Sequence, residues 1–239
     1  MRWIKKYYSE KFVHDKYNHL LIGMIVLFLI APLYLQTGLK FPLVMFLFFT
    51  IVQLALRAAV TDKKKLKYYT ILTLTGLICT LVSKYGPSEP KISTSFYTVG
   101  RGIYSSFLVI AIRIFLGKLF NACVITSDRV KGSICVYFLL GVLGSFLYEI
   151  IYCFDNTAFQ TDQITPMTFF YYSYSVLTTL GFGDITPLNY MAISITCLQV
   201  IAGQMYLVIF VAGLIGIYIS QEHKQIKKEV IELQSKHGD

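Results

Sequence analysis

Residues 178–184, Thr-Thr-Leu-Gly-Phe-Gly-Asp, form a strip whose residue types and spacing suit the binding of a bare cation. Gly181 and Gly183 stand two positions apart, and glycine adopts the backbone conformations that point successive carbonyls the same way. Carbonyl oxygens stacked along an axis replace the hydration shell of an ion. One loop cannot surround an ion, but four copies can. The predicted ligands are Thr179, Leu180, Gly181, Phe182 and Gly183, with the ion held at the first four of them.

The composition shows where such a strip must lie. Of 239 residues, 55% are hydrophobic and 15% charged, and the mean hydropathy is +0.59. Soluble domains carry about 25% charged residues. The apolar residues also come in long blocks, and about 18 nearly uncharged residues span a bilayer. These features exclude a disordered chain, a secreted disulfide scaffold and a soluble enzyme, and they predict an integral membrane protein.

The apolar blocks predict an all-α membrane protein with six transmembrane helices. The predicted spans are residues 20–36, 41–59, 68–83, 103–121, 133–154 and 190–220. Between the last two, the aromatic segment from Pro166 to Thr179 is too short and too polar to cross, so we expect a re-entrant helix that leads into the strip. The stretch 84–101, with its Gly-Pro-Ser-Glu-Pro run, reads as an exposed turn.

Four regions follow from this pattern. Residues 1–19 form an amphipathic N-terminal segment on the cytoplasmic side, either an interfacial helix or a solvated arm. Residues 20–122 form a four-helix peripheral unit, and residues 123–220 form the unit that contains the strip. Residues 221–239 form a cytoplasmic helix, either a solvated extension or part of a short four-stranded bundle.

The basic residues predict the orientation of the chain. Of the 22 Lys and Arg residues, 18 fall in alternate segments between the apolar blocks and four in the others. This positive-inside bias places both termini in the cytoplasm of an energised membrane, with the plasma (inner) membrane as the expected location. It also accounts for the net charge of +9 without a nucleic-acid partner.

The strip and its setting resemble the pore of potassium channels. Thr178–Asp184 is similar to the signature Thr-Val-Gly-Tyr-Gly-Asp, and residues 133–220 repeat the order outer helix, turret, pore helix, filter and inner helix. The resemblance is to prokaryotic six-span channels of the two-helix-pore class. It implies a homotetramer in a lipid bilayer that conducts K⁺ passively and needs no cofactor.

The resemblance also implies supporting roles for residues around the filter. Thr178 and Asp184 flank it, Tyr172 occupies a position from which a pore-helix aromatic bonds the filter aspartate, and Glu149 stands where a glutamate braces the pore loop. Gly203 corresponds to a gating-hinge glycine, with close helix packing as the alternative. Phe182 replaces the usual tyrosine, and Leu180 the usual valine.

The fourth span lacks a voltage-sensor ladder. A sensor needs several arginines at every third position, because each charge yields only about 2.3 kcal/mol per 100 mV. Here Arg101 and Lys118 are predicted to snorkel to the two interfaces. Arg113 either pairs with a carboxylate or reaches the inner surface. The sequence therefore predicts weak or no voltage dependence.

The leading hypothesis is a potassium-selective channel, and three alternatives stay open. Phe182 and Leu180 leave room for a weakly selective cation channel. A non-conducting membrane subunit is a second alternative and a secondary transporter a third, although transporters usually carry two broken helices in matching positions and this chain has one. No His, Cys, Asp or Glu cluster suggests an enzyme. The sequence does not identify the stimulus that opens such a channel.

Overall fold

The computed structural model of the protein describes residues 16–36, 41–60, 62–86, 89–120, 127–161, 164–165 and 167–236. These ranges are mostly helical. The helices are α1 (Lys16–Gln36), α2 (Phe41–Ala59), α3 (Lys63–Tyr85), α4 (Pro90–Phe120), α5 (Ser127–Phe154), α6 (Thr168–Leu177) and α7 (Tyr190–Lys236). Two short strands, β1 (Phe159–Gln160) and β2 (Thr186–Pro187), pair antiparallel with each other. In the sequence, β1 precedes α6 and β2 follows the strip.

Every predicted span coincides with a helix. Four stretches are long and apolar enough to cross a membrane by length and composition: Lys63–Tyr85, Lys91–Leu119, Val130–Phe154 and Tyr190–Gly213. Within α1 and α2 the described apolar stretches are shorter, Tyr17–Val26 and Phe46–Arg57. The mostly helical, multi-span architecture agrees with the sequence prediction, and six crossings remain a prediction.

The prediction of an exposed turn over residues 84–101 is wrong for most of its length, because α4 already begins at Pro90. Proline suits the first helical position, where its missing N–H removes no bond. Hydroxyls over this stretch bond to carbonyl oxygens of the two helices. Ser93 Oγ donates to the Ser83 carbonyl oxygen at 2.7 Å, and Thr98 Oγ1 donates to the carbonyl oxygen one turn earlier in α4 at 2.9 Å.

The core lies around α5, which packs against α1, α4, α6 and α7. In the peripheral unit, α1–α4, the Phe49 ring stacks on Tyr104 with centroids 4.0 Å apart, and Phe146 of α5 continues the cluster. A Cβ at Gly76 would lie 2.6 Å from the Tyr104 ring, so glycine permits this close approach of α3 and α4. The peripheral helices thus share one aromatic core with α5.

Helix α1 also contacts α6 directly. The Phe28 ring lies 4.8 Å from Phe170 and 5.1 Å from Tyr174, measured between centroids. Offset and edge-to-face arrangements at these distances stabilise aromatic pairs beyond their buried area. The peripheral unit is therefore packed against the re-entrant helix as well as against α5.

The two terminal predictions lie partly outside the described residues. Most of the predicted N-terminal amphipathic segment, residues 1–15, is outside them. At the other end, α7 continues without a break to Lys236, so the backbone is helical over most of the predicted C-terminal extension.

Candidate functional site

Helix α6 is long enough to cross about half of the hydrocarbon core of a membrane. Its ten residues rise about 15 Å, against about 30 Å for the hydrocarbon core. At its C-terminal end the Thr178 amide donates to the Tyr174 carbonyl oxygen at 3.0 Å, and the Thr178 hydroxyl donates to the same oxygen at 2.7 Å. Thr178 therefore closes the helix, and the irregular backbone starts directly after it.

The strip alternates in backbone handedness. Thr179, Gly181 and Gly183 have φ values of 59°, 56° and 81°, whereas Leu180 and Phe182 between them lie outside the left-handed region. Such alternation turns successive carbonyls toward one side of the strand. A left-handed non-glycine residue such as Thr179 costs about 1–2 kcal/mol. Strain of this kind is retained where the surrounding structure enforces it, typically at functional sites.

The amide side of the strip faces α6. The backbone N–H groups of Leu180 and Gly181 both donate to the Ser175 carbonyl oxygen, at 2.9 Å and 3.2 Å. The two glycines lie beside open space, because a Cβ built at Gly181 or Gly183 meets no heavy atom within 4 Å. Leu180 and Phe182 are 58% and 64% exposed in the single chain. A single chain therefore offers one wall of a site.

A polar network fastens α6 to the flanking helices. Gln199 of α7 accepts from the Tyr148 hydroxyl at 2.6 Å and donates to Ser173 Oγ at 2.7 Å, and Ser173 in turn donates to the Gly141 carbonyl oxygen at 2.6 Å. A Cβ at Gly144 would collide with the Gln199 amide. Sequence reasoning missed Gln199, although a glutamine inside an apolar run, one of two there with Gln204, was the available signal.

The predicted link between Tyr172 and Asp184 is wrong in the single chain. The Tyr172 hydroxyl pairs with Thr196 Oγ1 of α7 at 2.9 Å. The tyrosine beside Asp184 is Tyr171, whose hydroxyl interacts with that carboxylate and whose ring stacks on Phe182 at 6.1 Å. Successive helical residues point about 100° apart, so only one of the two tyrosines can face the strip.

Asp184 also folds back on the chain that leaves the strip. Its Oδ1 accepts from the Ile185 backbone N–H at 3.1 Å. This contact and the Tyr171 interaction place the carboxylate at the end of the strip that lies next to β2. Asp184 is exposed in the single chain, so it also puts a negative charge at this mouth.

Glu149 braces α4 instead of the pore loop, so its predicted contact is wrong. Its Oε2 forms an ion pair with Arg101 Nε and accepts from the Tyr97 hydroxyl at 2.8 Å. Arg101 Nη2 donates to that same hydroxyl at 2.9 Å. The residues are 6% (Glu149) and 1% (Arg101) exposed. The predicted snorkelling of Arg101 is wrong as well, because its charge is buried against a carboxylate on α5.

The other two basic residues of the fourth span, Arg113 and Lys118, are both exposed. Arg113 stands twelve residues after Arg101, which puts it about 18 Å further along α4. Of the two predicted environments for Arg113, exposure agrees with the one at the inner surface.

Gly203 lies where α7 crosses the end of α6. It is buried, and a Cβ built on it would lie 2.8 Å from the Leu177 carbonyl oxygen. The Tyr137 hydroxyl donates to the same oxygen at 3.0 Å. Helix α7 runs through Gly203 without interruption. These contacts support close helix packing as one reason for glycine here.

Hydrogen bonds among Asp155, Thr157 and Asn189, here called the Asp155 clamp, connect the chain segments on either side of α6 and the strip. Asp155, just after α5, accepts from the Thr157 hydroxyl at 2.6 Å and from Asn189 Nδ2 at 2.7 Å. Asn189 then caps α7, because its Oδ1 accepts from the Ala192 amide at 2.7 Å. The clamp therefore ties the end of α5 to the start of α7. The hydrogen bonds from Thr157 and Asn189 hold the pKa of Asp155 below its ordinary value.

The Asp155 clamp is expected to resist mild acid. Because the pKa is lower in the folded state than in the unfolded state, the stabilisation is complete above the ordinary carboxyl pKa and is lost only as the pH falls through the depressed value. The difference in melting temperature between the wild type and Asp155→Asn should therefore stay constant from about pH 8 to pH 5 and shrink below about pH 4. Thermal melts across this pH range measure it. A difference that changes between pH 8 and pH 5 would show that another group titrates at the clamp.

Compared with models of known families, residues 133–220 match the family described as Ion channel, a two-helix pore family. The matched range covers most of α5, then α6 and the strip, and α7 as far as residue 220. No curated protein and no solved structure matches the chain. The match supports ion-channel activity in an integral membrane protein, and a channel is not an enzyme.

Proposed function

We propose that the chain forms a homotetrameric, potassium-selective channel with six spans in each subunit. The observation that carries the proposal is the alternating backbone of residues 179–183, whose Leu180 and Gly181 amides are bonded to α6 and whose glycines lie beside open space. Four such strips around an axis make successive rings of carbonyl oxygens, the arrangement that replaces the hydration shell of K⁺. Potassium ions are the permeant ligand, and no cofactor takes part.

The orientation of the channel follows from the basic residues. With the positive-inside bias applied, both termini are cytoplasmic, the strip opens toward the outer face, and the Asp155 clamp lies on the outside. The membrane is the plasma (inner) membrane. The exposed inner-helix residues Leu198, Ile201 and Met205 are apolar and suit contact with neighbouring subunits or lipid.

Potassium selectivity is favoured over weak selectivity because the ligands are main-chain oxygens. Leu180 for valine and Phe182 for tyrosine change side chains without removing a carbonyl. The Phe182 ring stacks on Tyr171, which replaces a hydroxyl tether with an aromatic contact. The weakly selective channel is the runner-up, and it differs in the measured permeability ratio of K⁺ to Na⁺. A transporter or non-conducting subunit would give no unitary single-channel currents.

Assembly and conduction can be tested on one preparation. Native mass spectrometry of the purified chain is expected to show a complex of four 27.3 kDa subunits. Liposomes that contain it should release trapped K⁺ down its gradient when a protonophore allows charge balance. A monomeric or dimeric protein without flux would exclude the proposal.

Replacing Gly203 with alanine is expected to shift the open probability. Alanine favours a straight helix over glycine by about 1 kcal/mol per residue, or about 4 kcal/mol for four subunits that move together. Gly213→Ala, in open space on the same helix, is the matched control. Single-channel recording measures the effect. An unchanged open probability with a lowered melting temperature would assign Gly203 to packing against Leu177 alone.

Opening is expected to depend weakly on voltage. Arg101 is paired with Glu149, so any motion of that pair carries no net charge. If Arg113 crossed the whole field in four subunits, the drive would reach about 9 kcal/mol per 100 mV, from about 2.3 per charge. This is an upper bound, and a ladder of three or four charges would supply several times more. The conductance–voltage curve should be shallow. A steep sigmoid equivalent to about ten or more gating charges would contradict this reading of α4.

A further inference from the structure

A cavity of about 470 Å³ lies between the peripheral unit and the strip-bearing unit. It is near the ends of α3 and α5 that lie on the same side as β1. It reaches the ends of α3 and α5, the side of α4 and the first turn of α6. Its main lining residues are Ser83, Lys84, Tyr97, Glu149, Tyr152 and Phe169. The volume lies within the range of about 300–1,000 Å³ that small-molecule sites occupy.

Within this cavity Glu149 offers an unused acceptor. The residue is more than nine-tenths buried, and its Oε2 holds both Arg101 and Tyr97. Among the residues that the structure describes, Glu149 Oε1 has no hydrogen-bond partner. Glu149 Oε1 is not fully enclosed, so a donor bound in the cavity can form a charge-assisted hydrogen bond with it.

Three other hydroxyls on the wall are already engaged. Thr80 Oγ1 donates to the Gly76 carbonyl oxygen at 2.9 Å, and Ser83 Oγ donates to the Ser93 carbonyl oxygen at 2.9 Å. The Thr165 hydroxyl lies 3.1 Å from the Thr168 hydroxyl. The cavity thus presents the charged acceptor Glu149 Oε1 among mostly aromatic and aliphatic surfaces, with the Tyr152 side chain as a further polar group on the wall.

The charges around the cavity select a neutral ligand. Arg101 and Glu149 together carry no net charge, so an organic cation at Oε1 would face the guanidinium on the same carboxylate. An anion would lie against the carboxylate itself. Lys84 also lines the cavity, but it is exposed, so solvent and salt screen its charge.

We infer that this cavity binds a neutral, membrane-partitioning amphiphile whose hydroxyl donates to Glu149 Oε1. Its alkyl chain packs against Tyr152 and Phe169. Because Phe169 belongs to the first turn of α6, an occupant of the cavity bears directly on the helix that holds the strip. The inference concerns binding alone and does not depend on conduction.

Photolabelling of the full-length protein in lipid bilayers tests this site. The probe is an alkanol of about ten carbons with a diazirine on its chain, and mass spectrometry locates the adducts. We expect adducts at the lining residues Tyr152, Cys153 and Phe169, and competition by 1-decanol. The competitor 1-methoxydecane lacks the hydroxyl proton, and losing one hydrogen bond to a charged acceptor should make it weaker by about tenfold or more.

Two variants complete the test. Ile164 lines the cavity and is partly exposed, so Ile164→Trp should fill the space and remove the adducts. Ile92 is similarly exposed on α4 but does not line the cavity, so Ile92→Trp should leave labelling unchanged. Adducts spread over the lipid-facing helices would overturn the inference, and so would equal competition by 1-methoxydecane or persistent labelling in Ile164→Trp. Stronger competition by decylamine would overturn the choice of a neutral ligand.

Discussion

Gly181→Ala is expected to abolish potassium flux while the four chains still assemble. Gly181 has φ of +56°, and an L-residue in this conformation is strained by about 1–2 kcal/mol. The substitution occurs in all four strips, so a ring of carbonyls loses its geometry at four points together. A Cβ at this position meets no neighbour within 4 Å, so we expect no steric loss of the fold.

The control for Gly181→Ala is Gly102→Ala. Gly102 lies in α4, a Cβ there also meets no neighbour, and its backbone is helical. This variant should conduct like the wild type. The measurement is K⁺ efflux from liposomes, together with native mass spectrometry of each variant. A tetrameric Gly181→Ala protein with wild-type selectivity would refute the assignment of the strip as the filter.

Glu149→Ala is expected to destabilise the protein by about 3–5 kcal/mol, because it leaves the Arg101 guanidinium buried without its counter-ion. The loss should appear as a lower melting temperature of the purified full-length protein. Arg113→Ala removes an exposed arginine from the same helix and should change stability by no more than about 0.5 kcal/mol.

A double variant separates the ion pair from simple packing. Replacing both partners with apolar residues, Glu149→Leu with Arg101→Met, removes the uncompensated charge and should recover most of the lost stability. If the double variant is as unstable as the sum of the two single variants, Arg101 and Glu149 do not act as a pair.

The large elements could be predicted because apolar blocks of span length leave the chain few alternatives. The boundary of α4 could not, because the Gly-Pro-Ser-Glu-Pro run read as a turn, whereas its last proline opens a helix whose hydroxyls bond to carbonyl oxygens of α3 and of α4 itself. Which partner a buried charge chooses depends on the packing of distant helices. For this reason the sequence identified Glu149 as a brace but assigned it the wrong partner.

The backbone conformation of the strip could be predicted from the sequence. The side chains that hold the strip in place could not. Gly181 and Gly183 signal left-handed conformations by residue type alone, and the structure has both. Thr179 adopts the same conformation, which no residue-type rule predicts. Whether Tyr171 or Tyr172 faces the strip depends on the rotation of α6 about its axis. The resemblance to a known family did not predict that rotation.

The most direct test of potassium selectivity is the reversal potential of a purified, reconstituted protein with K⁺ on one side of the bilayer and Na⁺ at the same concentration on the other. A ring of main-chain carbonyls that fits K⁺ predicts a large reversal potential whose sign shows that K⁺ carries the current. In Gly102→Ala the value should be the same. A reversal potential near zero would show that K⁺ and Na⁺ permeate equally, and an absence of current would show that the chain alone does not conduct. Either result would contradict the proposed function.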